Sequence, residues 1–197
     1  MTDTTYQPAP LRTDAYSRRV QSVLSNARTF AEHRLTQELD DGLFRAWWCA
    51  RPRSGTYSFR VVTAPGWLYL SGDIGHLALS RERDMLPWTR SVVTGESVDL
   101  CYLAEKTPRT LQTTEFNYEE AYEQLVAILD DSEFDADERG RLLRRARSAS
   151  NSYDWQSFCA DYVNRYGADQ VPESKDYSAS LCWQVLGLRR FFELLDA

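Results

Sequence analysis

At 197 residues and 22.8 kDa, with 43% hydrophobic and 26% charged residues, the chain has the balance of an ordinary globular domain and not that of a disordered tail. It lacks a run of about eighteen apolar residues, and its opening MTDTTYQPAPLRTDAY has neither the cationic start nor the apolar block of a secretory signal, which excludes an obvious membrane span and leads us to expect a cytoplasmic protein. The formal charge of −6 divides into +2 over residues 1–110 and −8 over residues 111–197, so a phosphate backbone is repelled at long range and general nucleic-acid binding is not expected.

Residues 1–14, with two prolines and no periodicity, are expected to form a flexible arm, and residues 15–197 a single α+β domain. From Tyr16 the apolar positions Val20, Leu24, Ala27, Ala31 and Leu35 recur every three or four residues, which predicts one amphipathic helix over residues 15–40. Short runs rich in β-branched and aromatic residues follow. LFRAWWCA, TYSFRVVT, WLYLS and HLALSR are read as four strands. Ala64-Pro65-Gly66-Trp67 has the chemistry of a type II turn, and Gly72-Asp73-Ile74-Gly75 is long enough only for a hairpin. Connections this short require an antiparallel meander. In TYSFRVVT, Tyr57, Phe59 and Val61 alternate with Ser58 and Arg60, so one face is core and the other half polar.

After Arg83 the pattern is helical. Asp84 is a candidate cap with Pro87 tolerated in the first turn, and Ser97 a candidate start for the short helix LCYLAEK. Asn117 with Glu120, and Asp135 with Glu138, have capping-box spacing. The acidic stretch DDSEFDADE between them reads as a helix–helix connection. RGRLLRRAR (Arg139–Arg147) reads as a solvated helix face, and the last two helices carry wide apolar stripes, giving a C-terminal helical bundle. The fold expected is therefore α+β: a four-stranded antiparallel meander packed with an N-terminal helix and that bundle.

Chemistry is less legible. Cys49, Cys101, Cys159 and Cys182 are too widely spaced for a zinc knuckle and are expected to be buried free thiols. With only His33 and His76, a histidine-rich metal site cannot be built, and no metal or cofactor is expected. No GxSxG elbow or phosphate-binding Walker loop is present. The densest polar cluster is Ser71-Gly72-Asp73-Ile74-Gly75-His76 with Arg81, Glu82, Arg83 and Asp84 behind it. Glycines around Asp73 let a ligand approach the backbone, and Asp73 with His76 is a conceivable acid–base pair, although a tight hairpin needs such glycines for its own sake. Glu105-Lys106 could contact a phosphate or carboxylate, or simply mark an exposed helix end. Trp47, Trp48 and Trp67 suit sheet core better than a base-stacking platform.

The stretch RPRSGTYSFRVVTAPGWLYLSGDIGHLALSRERDMLPWTR, continued by VDLCYLAEK, resembles a family of bacteriophage- and prophage-encoded accessory proteins. The resemblance rests on Tyr57, Phe59, the Pro65-Gly66 turn, the Gly72-Asp73-x-Gly75 hairpin, Arg81, Asp84, Met85, Glu105 and Lys106, and departs from the family where LPWTR follows Met85. It implies a phage accessory protein without an established chemistry. The polar cluster at the hairpin and the Glu105-Lys106 pair supply the candidate binding residues Gly72, Asp73, Gly75, His76, Arg81, Asp84, Glu105 and Lys106. The expectation is a non-enzymatic binding protein that acts on host machinery, for instance an inhibitor of an anti-phage defence system, through a host protein or a nucleotide signal. The alternative is a small nucleotide-processing enzyme with Asp73, His76 and Glu105 at its site.

Overall fold

The computed structural model describes residues 11–13, 16–167, 172 and 175–197, so the expected N-terminal arm lies largely outside the described residues. The chain folds as two compact units, Met1–Thr113 with Tyr177–Ala197, and Thr114–Asp176.

The first unit is built on an antiparallel sheet of five strands, not four: β1 (Arg34–Asp41), β2 (Phe44–Ala50), β3 (Phe59–Ala64), β4 (Trp67–Gly72) and β5 (Gly75–Ser80), in chain order across the sheet. The additional strand comes from the region expected to be the end of the first helix. Helix α1 stops at Leu24, having begun at Arg18 behind a Ser17 cap. The side chains of Ser25 and Asn26 turn back to donate to the Ser22 carbonyl at 2.8 and 2.6 Å, the competition by which small polar residues favour helix ends. A single 3₁₀ turn, Ala27–Phe30, then carries the chain into β1. Asp41 pairs with Phe44 across the two-residue loop Gly42-Leu43, and Gly42 at φ +61° supplies the hand that such hairpins need.

The β3–β4 connection is the turn expected, with Gly66 at φ +84° after Pro65. Along β3 the residues Phe59, Val61 and Thr63 are buried while Arg60 is exposed. The register aligns them with Cys49, Trp47 and Arg45 of β2 and with Gly72, Leu70 and Leu68 of β4, so the core face is continuous across the sheet. That face is covered by helix α7 (Ala179–Leu195), whose Leu181, Cys182, Val185, Leu186, Leu188, Phe191 and Phe192 join the same core as Phe30, Met85 and Leu100. Helix α2 (Met85–Val93) starts at an Asp84 cap that accepts the Leu86 amide. Helix α3 (Leu100–Glu105) is capped by Asp99, two residues later than the Ser97 start expected.

The second unit pairs β6 (Thr114–Phe116) with β7 (Lys175–Tyr177) and packs α4 (Tyr118–Asp130), α5 (Ala136–Arg147) and α6 (Ser152–Tyr166). Both expected caps form, Asn117 accepting from the Glu120 amide and Asp135 from the Glu138 amide. Ala121, Leu125 and Leu129 of α4, spaced by four, meet Leu142, Ala146, Trp155, Phe158 and Tyr162 in a core of their own. The C-terminal helices are thus not one bundle on the sheet: α7 alone among α4–α7 contributes to the sheet's core. The arginines of α5 are not a bare basic patch. Arg139 pairs with Asp130, Arg141 with Glu138 and Arg145 with Asp161, and Arg147 lies over the Tyr122 ring at 5.5 Å.

Candidate functional site

The structure divides the eight sequence-derived candidates between the two ends of β5. Gly72, Asp73, Gly75 and His76 lie at the hairpin, whereas Arg81, Asp84, Glu105 and Lys106 gather beyond the far end. Six strand residues separate the groups by about 20 Å.

At the hairpin, Gly72 and Gly75 face each other with φ of +148° and +95°. A Cβ on Gly72 would lie 2.4 Å from the Ser58 carbonyl oxygen, and one on Gly75 would lie 2.3 Å from Ser180 Oγ. The carboxylate of Asp73 accepts the Tyr57 amide at 2.7 Å, and its own amide donates to Ser58. It makes no bond to the His76 imidazole, so the acid–base pair considered from sequence does not form. Sequence reasoning missed the partner of this hairpin. Gln184, buried in α7, donates to the carbonyls of Ile74 and His76 at 3.3 and 3.2 Å, and Ser180 donates to Ile74 at 3.2 Å. Its only signal was a polar residue inside an apolar helical stripe. The side chain of Ile74 is buried at Gly187, where a Cβ would come within 2.6 Å of it.

At the other end Arg81, Lys106 and two aromatic rings come together. The Arg81 guanidinium lies 5.4 Å from the Tyr102 ring and 5.8 Å from that of Trp88, while the Lys106 ammonium lies 4.9 Å from Tyr102. Each cation has a carboxylate neighbour, Glu82 at 3.4 Å and Glu105 at 3.8 Å. Asp84 is occupied structurally. Besides capping α2 it receives Arg45 at 2.9 Å. Burial acts to raise its pKa, yet the hydrogen bonds from Arg45 and the Leu86 amide outweigh this and hold the carboxyl below its ordinary range.

Between these ends lies the outer face of the sheet, the half-polar face expected from the alternation around Arg60. Its register rows read Thr36, Trp48, Arg60, Ser71, His76 and then Leu39, Ala46, Val62, Tyr69, Ala78. Leu39, Phe44 and Tyr69 are 49%, 52% and 41% exposed. Tyr69 stacks on Trp67 with centroids 5.6 Å apart, and Arg60 lies 4.8 Å over Trp48. Glu38, at the β-bulge of β1, grips Arg60 through two bonds of 2.9 and 3.0 Å, which fixes the guanidinium over its ring and lowers the Glu38 pKa. The sequence marked Trp47, Trp48 and Trp67 together. Only Trp47 is fully core.

Burial raises the Cys49 thiol to about 12 and also raises Cys159, so neither is a ready thiolate. Cys101 departs from expectation: it is exposed, and the other three are buried, all four being free. Among the described residues no group of three His, Cys, Asp or Glu side chains is placed to hold a metal ion, and no helix is long and apolar enough to cross a membrane. No protein-family model, curated protein or solved structure matches the chain.

Proposed function

We propose that this chain is a non-enzymatic binding protein, encoded by a phage or prophage, that acts on host machinery by engaging a host protein through the outer face of its sheet. A component of an anti-phage defence system is the class of target that the resemblance to phage accessory proteins favours. The observation that carries the reading is the outer-face row Leu39, Ala46, Val62 and Tyr69, exposed at Leu39 and Tyr69, with Phe44 exposed on the same face and Tyr69 stacked on Trp67. Aromatic residues and arginine are the residue types that dominate protein interfaces, and a contiguous apolar patch on a folded surface marks an interaction site more often than chance exposure. The enzyme alternative has little geometric support, because Glu105 lies a strand's length from Asp73 and His76.

The test is affinity capture from host lysate with the wild-type chain and with a Phe44→Asp/Tyr69→Asp variant, read by quantitative mass spectrometry. A defined host protein retained by the wild type and lost by the folded variant supports the reading. Equal retention by both refutes it, and turnover of a nucleotide panel by the purified chain would favour the enzyme instead.

A further inference from the structure

The tip of the hairpin between β1 and β2 joins two kinds of exposed group. Asp41 stands directly opposite Phe44, and Leu39 opposite Ala46. Alternation along the strands puts Leu39, Asp41, Phe44 and Ala46 on the outer face, with directly opposed Cβ atoms about 5 Å apart. Leu39 and Phe44, each half exposed, thus stand beside a carboxylate. Asp40, the adjacent residue, is exposed as well.

The tip is tied to the body of the first unit. Arg45 donates from Nε to the Gly42 carbonyl at 2.5 Å and reaches Asp84 at 2.9 Å, and the buried Thr63 hydroxyl donates to the Leu43 carbonyl at 2.9 Å. Both carbonyls of the two-residue loop are therefore held by the protein's own donors. A surface ordered before it meets a partner loses little freedom on binding.

The charge of the tip is unanswered from within. Among the described residues no cation pairs with Asp40 or Asp41. Arg45, opposite Asp40 in the register, is turned to Asp84, while Arg60 is committed to Glu38 and Arg81 to Glu82. Arg34 stands at the far end of β1. Arg83, whose carbonyl accepts the Gly66 amide, lies at the β3–β4 turn, its backbone about 14 Å from Asp41 across three strand spacings. Charges are screened over about 8 Å at physiological ionic strength, so neither arginine offsets the two carboxylates.

We infer that this tip is the recognition point of the outer face, and that the partner it takes is a protein segment combining apolar side chains with lysine or arginine. The apolar groups pack on Leu39 and Phe44, and the cations lie beside Asp40 and Asp41. This rests on the outer-face reading above and adds to it the place of the contact and the charge of the partner. The same carboxylates repel phosphate, which sets nucleic acid and anionic lipid aside.

The experiment uses three labelled synthetic peptides of about eighteen residues, long enough for one helical face: leucine with lysine in an amphipathic pattern, leucine with glutamate in the same pattern, and serine with lysine. Binding to the full chain is read by fluorescence anisotropy at low and high salt. The leucine–lysine peptide is expected to bind saturably, at least about tenfold tighter than either of the others, and to weaken as salt rises. Asp40→Asn/Asp41→Asn should weaken it about fivefold or more, and Leu39→Ser/Phe44→Ser should abolish binding, each in chains whose circular dichroism and Tm match the wild type. Glu119→Gln/Glu133→Gln, which removes two exposed carboxylates from the second unit, should leave the affinity unchanged. Amide shifts of the wild type on adding the peptide, which need no variant, should centre on residues 39–44.

Leucine–lysine and leucine–glutamate peptides bound alike, and both lost in Leu39→Ser/Phe44→Ser, would overturn the charge assignment while leaving the outer face as the contact surface. Serine–lysine bound as well as leucine–lysine, affinity lowered as much by the second-unit control, shifts centred elsewhere, or no binding overturns the proposal. So does dimerisation of the chain alone, seen by sedimentation and lost in Leu39→Ser/Phe44→Ser, which would make a second copy the occupant. Capture by the wild type against Phe44→Asp/Tyr69→Asp decides the outer-face reading separately.

Discussion

The carboxylate of Asp73 and the backbone amide of Tyr57 are joined by a 2.7 Å hydrogen bond across sixteen residues of chain, and Tyr57 is one of two non-glycine residues at positive φ among those described, at +58°. Asp73 therefore holds the loop before β3 in a conformation that a bulky side chain disfavours. Asp73→Ala should cost about 1–2 kcal/mol, lowering Tm by roughly 2–4 °C for each kcal/mol, whereas Asp73→Asn keeps an acceptor and should lose less. Equal melting curves for the wild type and Asp73→Ala would show that the bond contributes nothing.

The glycines at the hairpin should rank by what a methyl group would strike. Gly75→Ala forces a Cβ onto Ser180 and Gln184, and Gly72→Ala onto the Ser58 backbone, both at positive φ. Each should destabilise by about 2 kcal/mol or more. Gly42→Ala, with open space around it and φ of +61°, should cost only about 1 kcal/mol. Urea unfolding of the three variants checks the order.

Arg189 is 5% exposed and donates to the carbonyls of Val93 and Gly95 at 2.6 and 2.8 Å, closing the C-terminal end of α2 from within α7. Arg189→Met fills most of the volume but leaves those carbonyls without this donor, and should lower the unfolding free energy by about 2–4 kcal/mol. A loss below about half a kcal/mol in chemical denaturation would mean that water replaces the guanidinium.

Burial holds the His33 imidazole below its ordinary 6.5, and the charges of Arg51 and Arg190 push in the same direction against Glu32 and the Tyr57 carbonyl. The unfolded chain then takes up a proton as the pH falls through 6.5 while the folded chain does not. The stability contributed by this group is complete above 6.5, declines as the pH falls toward the folded value, and changes no further below it. A ring-resonance titration of His33 by NMR should show a midpoint under 6.5; one above it would reverse the sign.

For Asp84 the pKa is also lowered, but the group is an acid, so its contribution is present above the unfolded carboxylate value and lost as the pH falls through the folded one. Asp84→Asn retains the cap and removes the charge facing Arg45. Its deficit relative to the wild type should be visible near pH 7 and shrink as acidification carries the pH below the ordinary carboxylate range. A deficit independent of pH would assign it to geometry and not to the ion pair.

What could be read before any coordinates were local. Pro65-Gly66 specified its turn, Asn117 and Asp135 their caps, and the alternation around Arg60 its two faces, because each depends on residues only a few positions apart. The first helix was overextended because Ala27, Ala31 and Leu35 continue a helical spacing by coincidence. Gly42, first of the two loop residues Gly42-Leu43, carried the contrary hairpin signal, and tertiary pairing with β2 decided the matter. The candidate site was legible only in parts. Arg81 and Lys106 meet through Tyr102, and Gln184 meets Ile74 across 110 residues, relationships that no local pattern encodes.

The bulge in β1 has a further effect. A sheet ends in strands whose outward amides and carbonyls can recruit another chain, and β1 is such a border. Its ladder breaks register at Glu38, and its exposed residues include Arg34, Glu38, Asp40 and Asp41. A second copy laid alongside would meet an interrupted hydrogen-bonding row and three carboxylates opposite its own. The segment that the helical spacing disguised thus forms a rim ill-suited to edge-to-edge pairing, which favours the broad outer face, and not the rim, as the contact surface proposed above.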